Sequence, residues 1–136
     1  MKIDHIGIAV KSIENSLGFY EGVLGVREAE REVVEDQGVT VALLPIGDSR
    51  IELLEPLSDD TVVAKFISRR GEGLHHICYE VDDVARKVED LKARGLRLLD
   101  GYPRRGAEGK LVAFVHPSSA GGVLVELVEK ERGIEQ

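Results

Sequence analysis

Over residues 3–10 apolar positions alternate with others, the period-2 pattern of a strand with one buried face. At Ser12 the period changes: Ile13, Leu17, Tyr20 and Leu24 recur at helical spacing, with Ser12 placed to cap the first turn and Gly25 to stop the helix. Three strand-like runs follow, Arg27 to Val34, Val39 to Pro45 and Arg50 to Leu54, parted by Asp36-Gln37-Gly38 and Gly47-Asp48-Ser49, which are turn compositions. The first half therefore predicts βαβββ. The second half predicts the same order: a strand at 75–81, a cap at Asp82 or Asp83, a helix carrying Val84, Val88 and Leu91 that stops at Gly95, and strands near 96–100, 111–116 and 122–129. Between them Asp60 is placed to cap a linker helix with Val62, Val63, Phe66 and Ile67 on one face. The expected organisation is one domain over residues 1–136, with module 1 at about 2–57, the linker helix at about 60–70, module 2 at about 74–130 and a charged tail that frays.

The two halves also match residue by residue. His5-Ile-Gly-Ile-Ala-Val10 aligns on His76-Ile-Cys-Tyr-Glu-Val81, and the same offset brings Ile13 onto Val84, Leu17 onto Val88 and Tyr20 onto Leu91. The fold class is accordingly α+β, two tandem βαβββ modules.

Charge narrows the partners. Eighteen Lys and Arg against 25 Asp and Glu leave a formal net charge of −7, so a phosphate-backbone binding face is not expected and nucleic acid is excluded as a partner. No segment approaches the ~18 apolar residues of a membrane span, and no export signal is visible. The single cysteine, Cys78, can form no internal disulfide and is expected as a small buried hydrophobe; it suits a reducing compartment, so a cytoplasmic location is expected.

Four histidines exist, His5, His75, His76 and His116, and the repeat sets His5 and His76 at equivalent strand positions. Neighbouring strand residues point to opposite faces, so only one of His75 and His76 can join His5 inside, and the alignment selects His76. The last strands supply a second matched pair, since Ile51-Glu52-Leu53-Leu54-Glu55 parallels Val125-Glu126-Leu127-Val128-Glu129. Alternation alone leaves either face open to those carboxylates. Two imidazoles and two carboxylates would suit Mn, Fe, Co, Ni or Zn and leave positions for water or substrate.

Several motifs resemble the methylmalonyl-CoA epimerase family of the vicinal oxygen chelate superfamily (glyoxalase, bleomycin resistance and dioxygenase proteins). They are Asp4-His5-Ile6-Gly7-Ile8-Ala9-Val10, Gln37-Gly38-Val39, Glu52-Leu53-Leu54-Glu55-Pro56-Leu57, Val63-Ala64-Lys65-Phe66, Gly73-Leu74-His75-His76-Ile77, Phe114-Val115-His116-Pro117 and Gly122-Val123-Leu124-Val125-Glu126-Leu127. The resemblance spans about residues 2 to 129. It implies a curved mixed sheet around a metal site, His5, His76 and Glu126 as metal ligands, and Glu52 where some members carry a glutamine ligand. It further implies a divalent ion, cobalt foremost, a homodimer, and a coenzyme A thioester substrate. The implied reaction is epimerisation of methylmalonyl-CoA by α-proton removal and return through a metal-stabilised enolate.

That reaction needs two groups flanking a planar intermediate, and Glu52 and Glu126, one from each module, are the catalytic candidates. One position departs from the family: where some members place a catalytic glutamate two residues after Val39, this chain has Val41, and Glu35 or Asp36 is the next carboxylate nearby. Arg104, Arg105 and Lys110 flank the glycine-containing loop Gly106 to Gly109 and are candidates for holding a carboxylate or the coenzyme A phosphates. His116 is expected as a packed residue. The competing readings on this fold are a glyoxalase-type isomerase, a ring-cleaving dioxygenase and a metal-free drug-binding protein.

Overall fold

The structure, a computed structural model, describes residues 1–106 and 109–131. The charged tail expected to fray lies mostly outside the described residues, as do positions 107 and 108 of the Gly106–Gly109 loop. The chain forms two compact units, His5–His75, and Met1–Asp4 with the described residues from His76 on.

The first module and the helix after it run β1 (Lys2–Ala9), α1 (Ile13–Tyr20), β2 (Glu30–Val34), β3 (Val39–Ile46), β4 (Ser49–Pro56) and α2 (Val62–Arg70). Its strands lie in the order β2-β3-β4-β1, antiparallel except that β1 runs parallel to β4 with His5 opposite Arg50 and Gly7 opposite Glu52. Strand alternation then decides which residues meet which helix. Ala42, Leu44 and Leu53 pack with Ile13 and Leu17 of α1, whereas Ala9, Val39, Val41, Leu43 and Leu54 pack with Val63 and Ile67 of α2. Leu53 is fully buried, worth about 1.5–3 kcal/mol on the usual scale for such a side chain.

The second module runs β5 (Gly73–Val81), α3 (Val84–Ala93), β6 (Arg104–Arg105), β7 (Leu111–Val115) and β8 (Leu124–Glu129), with strand order β5-β8-β7-β6. Here β5 runs parallel to β8, with His76 opposite Leu124 and Cys78 opposite Glu126. Val84 and Val88 of α3 pack on Val81, Ala113 and Leu127, while Cys78, fully buried as expected, packs with Val112 and Val128. The α+β class and the repeated βαβββ order are therefore both present.

The helix starts repeat in the same way. Ser12 Oγ accepts from the Asn15 amide at 3.2 Å and Asp83 Oδ1 from the Arg86 amide at 3.1 Å, so Asp83 rather than Asp82 is the cap. Each start has a second acceptor from the last strand of its own module. The Ile13 amide donates to Glu55 Oε1 at 2.8 Å, and the Val84 amide donates to Glu129 Oε1 at 3.2 Å. Both carboxylates satisfy an amide that an α-helix cannot pair internally, and both sit where the helix dipole favours negative charge.

Four local expectations are corrected. Thr61, not Asp60, caps α2: its backbone is extended and its Oγ1 accepts from the Ala64 amide at 3.1 Å, while Asp60 takes the Ser58 hydroxyl. Helix α1 ends at Tyr20, and the Val26 amide closes back onto the Tyr20 carbonyl at 2.7 Å; Leu24 is left 55% exposed instead of extending the apolar stripe. The strand read from Arg27 begins at Glu30. Residues 96–100 make only an isolated bridge, Leu98 to Val115, because Leu98 turns into the α3 core; the edge strand is Arg104–Arg105, paired with Val112 and Leu111.

Candidate active site

His5 and Glu52 come together inside the first unit. His5 projects from β1 on the face that also carries Ala9, four residues on, and Glu52 projects from β4 on the face of Leu54, two residues on. His5 is buried and Glu52 partly buried, with 7% and 12% of their side chains exposed, and His5 Nδ1 lies 3.3 Å from Glu52 Oε2. Arg50, two residues before Glu52 on the same face, brings its Nε to 2.8 Å from that same Oε2.

His76 and Glu126 do the same inside the second unit. His76 Nε2 lies 3.2 Å from Glu126 Oε1, the side chains being 8% and 13% exposed. The floor beneath them is apolar: Cys78 and Val128 share the face, and the Phe114 ring meets the His76 ring edge-on with centroids 6.3 Å apart. Each module thus presents one imidazole nitrogen and one carboxylate oxygen at nearly the same separation.

That separation suits a shared cation. A charge-assisted N–H to carboxylate bond sits at about 2.7–2.9 Å, whereas two donors each ~2.1 Å from one ion at roughly a right angle are about 3 Å apart. Partly buried carboxylates beside buried imidazoles also form the nitrogen and oxygen donor set that divalent transition ions take. The residues therefore fit such a group.

Of the other expected residues, His75 lies on the opposite side of β5 from His76 and packs edge-on against Phe66 of α2, with centroids 4.9 Å apart. Val41 is 5% exposed and belongs to the cluster with Val63 and Ile67 of α2, so the departing position is filled by core. Arg104 and Arg105 are exposed on the hairpin, Arg104 over the Tyr102 ring at 4.6 Å and Arg105 donating to the Gly109 carbonyl at 3.2 Å. Lys110 is partly buried beside them, its carbonyl accepting from the Gly106 amide at 2.8 Å. His116 serves a local turn: its Nδ1 accepts from the Ser118 amide at 3.0 Å and caps Pro117–Ser119. Glu35 and Asp36 lie on the exposed turn before Gly38.

Arg50, Glu55 and Glu129 have roles that the sequence reading did not give them. The two glutamates were recoverable from the repeat, each standing three residues after its histidine-paired partner. Arg50 was not, because its repeat counterpart is Leu124.

A twice-repeated βαβββ unit that brings a buried histidine to a glutamate defines a class: the chain belongs to the glyoxalase/bleomycin resistance protein/dioxygenase superfamily, whose family model matches residues 4–114. It is 40% identical to the mitochondrial methylmalonyl-CoA epimerase of Bos taurus, over 93% of this chain and 73% of that protein. It is 39% identical to the ethylmalonyl-CoA/methylmalonyl-CoA epimerase of Cereibacter sphaeroides, over 93% and 96%. A variant Streptomyces coelicolor methylmalonyl-CoA epimerase, in complex with 2-nitronate-propionyl-CoA, superposes with a TM-score of 0.89 at 40% identity, covering 96% of this chain and 94% of that one. Within the superfamily the chain belongs to the methylmalonyl-CoA epimerase family, which makes it an isomerase of the racemase and epimerase type.

Proposed function

We propose that the protein interconverts the two epimers of methylmalonyl-CoA, with one divalent ion held by His5 and Glu52 of module 1 and by His76 and Glu126 of module 2. The observation that carries this reading is the repetition of one histidine–glutamate pair, at 3.3 Å and 3.2 Å, in two modules of a chain from the epimerase family. Bound there, the ion supplies Lewis acidity to the oxygens of a malonyl thioester as its α-proton leaves. The rest is done by side chains. One glutamate begins ionised and takes the α-proton from its face of the substrate; the electron pair of the broken C–H bond delocalises into the flanking carbonyls as an enolate. The other glutamate begins protonated and returns a proton to the opposite face, so the carbon inverts and the two carboxyl groups exchange protonation states. Val41, an aliphatic core residue, has no part in this transfer.

Arg104, Arg105 and Lys110 on the β6–β7 hairpin are our candidates for meeting the coenzyme A phosphates or the substrate carboxylate, as exposed or partly exposed cations around backbone amides. We take cobalt as the resident ion, with manganese, nickel, zinc and iron(II) as the others the donor set accepts, and a cytoplasmic homodimer as the working form. No helix among the described residues is long and apolar enough to cross a membrane.

The test is isotopic. Single-epimer methylmalonyl-CoA incubated with the metal-loaded protein in deuterated water should gain deuterium at the α-carbon as it epimerises, and EDTA should abolish both. A protein that carries its ion yet exchanges no α-hydrogen would overturn the epimerase reading.

A further inference from the structure

We propose that Arg50 is a positioning residue for proton transfer at Glu52, holding that carboxylate by one oxygen so that the other is aimed at the substrate. The inference rests on the epimerase reading above and adds to it a residue that the repeat does not predict.

The geometry is specific. Arg50 and Glu52 are two apart on β4 and share a face, and Arg50 stands opposite His5 in the β1–β4 register. Its Nε reaches Glu52 Oε2 at 2.8 Å, and His5 Nδ1 approaches the same oxygen to 3.3 Å. A glutamate side chain has three rotatable torsions; a charge-assisted bond to one oxygen, from a guanidinium on the neighbouring position of a rigid strand, leaves the other oxygen one direction to point. Proton transfer is sensitive to such aim, since a misplacement of about 1 Å can cost on the order of a hundredfold. On the strand that carries Glu126 the matching position is Leu124, opposite His76, and its aliphatic side chain can hold no oxygen. The two modules therefore differ at this position, in a cation that reaches a site carboxylate along its own strand in module 1 and is replaced by an aliphatic residue in module 2.

The consequence is readable in isotope exchange and not in rate alone. Loss of aim at Glu52 slows inversion from both epimers by the same factor, because the equilibrium between them is unchanged. It does not slow exchange equally. From the epimer whose proton Glu126 removes, the enolate still forms, cannot be completed at the Glu52 face, and returns with solvent deuterium to the epimer it came from. From the other epimer the first step itself is slow.

Arg50→Leu, which copies Leu124, and Arg50→Lys, which keeps the charge without the planar fork, are to be compared with wild type. Metal-free protein is titrated with Co2+, and deuterium is then counted in recovered substrate and in product from each epimer separately. The expected result is a full metal complement and inversion slowed roughly ten- to a hundredfold. Exchange without inversion should rise relative to inversion for one epimer only, with Arg50→Lys intermediate. Exchange and inversion falling together for both epimers, loss of the ion, or no change in either variant overturns the role of Arg50. If Arg50→Leu does not fold, Arg50→Lys alone decides by the same epimer asymmetry. A wild-type protein that exchanges neither epimer removes the epimerase reading and this inference with it, an outcome distinct from an active wild type with symmetric variants.

Discussion

Gly38 is pressed against Thr61. With φ at +67° it occupies the left-handed region, and a Cβ built on it would lie 2.6 Å from Thr61 Cγ2, a methyl that cannot move without turning the residue that caps α2. Gly38→Ala should therefore cost about 2 kcal/mol or more, from a strained backbone plus a disturbed cap. Chemical denaturation of both proteins measures it; a loss below about half a kcal/mol would show that the turn and the cap adjust independently.

Metal binding should separate the adjacent histidines. His76→Ala removes the partner of Glu126, whereas His75→Ala removes a ring that packs on Phe66. The expected outcome is about one divalent ion per chain in wild type and in His75→Ala, and a stoichiometry well below one in His76→Ala. Elemental analysis after dialysis is the measurement, and equal loss in both variants would refute the assignment of strand faces.

Glu52→Gln separates ligation from proton transfer. An amide oxygen can still coordinate, but an amide is neither acid nor base near neutral pH. Metal content should stay near wild type while epimerisation falls by at least roughly a hundredfold. Near-wild-type turnover would leave Glu52 as a ligand only and assign the proton to another group.

Acid should weaken a surface clamp of the first unit. Arg31 donates through Nε and one terminal nitrogen to both oxygens of Glu28, at 2.6 and 2.8 Å, and through its other terminal nitrogen to Glu14 of α1 at 2.6 Å. The hydrogen bond from Arg31 holds the Glu28 carboxyl below its ordinary value of 4.5, against a smaller upward push from burial. The folded value is the lowered one, so the stabilisation is complete above about pH 4.5 and is lost as pH falls through the folded value. Arg31→Leu should melt below wild type at neutral pH by an amount equivalent to no more than about 1 kcal/mol, with the gap closing as the pH is taken down through the lowered value of Glu28. A gap independent of pH would mean that Arg31 acts by packing.

Why some of this was legible in the sequence and some was not has physical reasons. Period-2 and helical-period patterns located β3, β4, β5 and all three helices because their buried faces are continuous. Leu24 and Leu98 misled for one reason: an apolar residue scores the same whether it extends a stripe or leaves it at a turn, and backbone hydrogen bonds, such as Val26 to Tyr20, decide which. Thr61 and Asp60 are adjacent residues that can both cap a helix, Asp60 by type the stronger, and the hydrogen bonds that each makes decide between them. At the candidate site, His5, Glu52, His76 and Glu126 were visible through repetition. Arg50 breaks the repetition and was invisible for that reason.

The last strand of each module carries a glutamate toward its histidine and a second one, three residues on, toward the start of its helix. An odd spacing on a strand means opposite faces, so the two glutamates exchange sides if the strand slips by a single residue. The strand is in effect proofread. A misregistered β4 or β8 would both uncap a helix and swing its carboxylate away from the imidazole, so no inactive form of the module keeps the helix start intact by that route. The register that seats a helix on its strand is thus the same one that seats the carboxylate beside its imidazole, and folding the module correctly assembles half of the site.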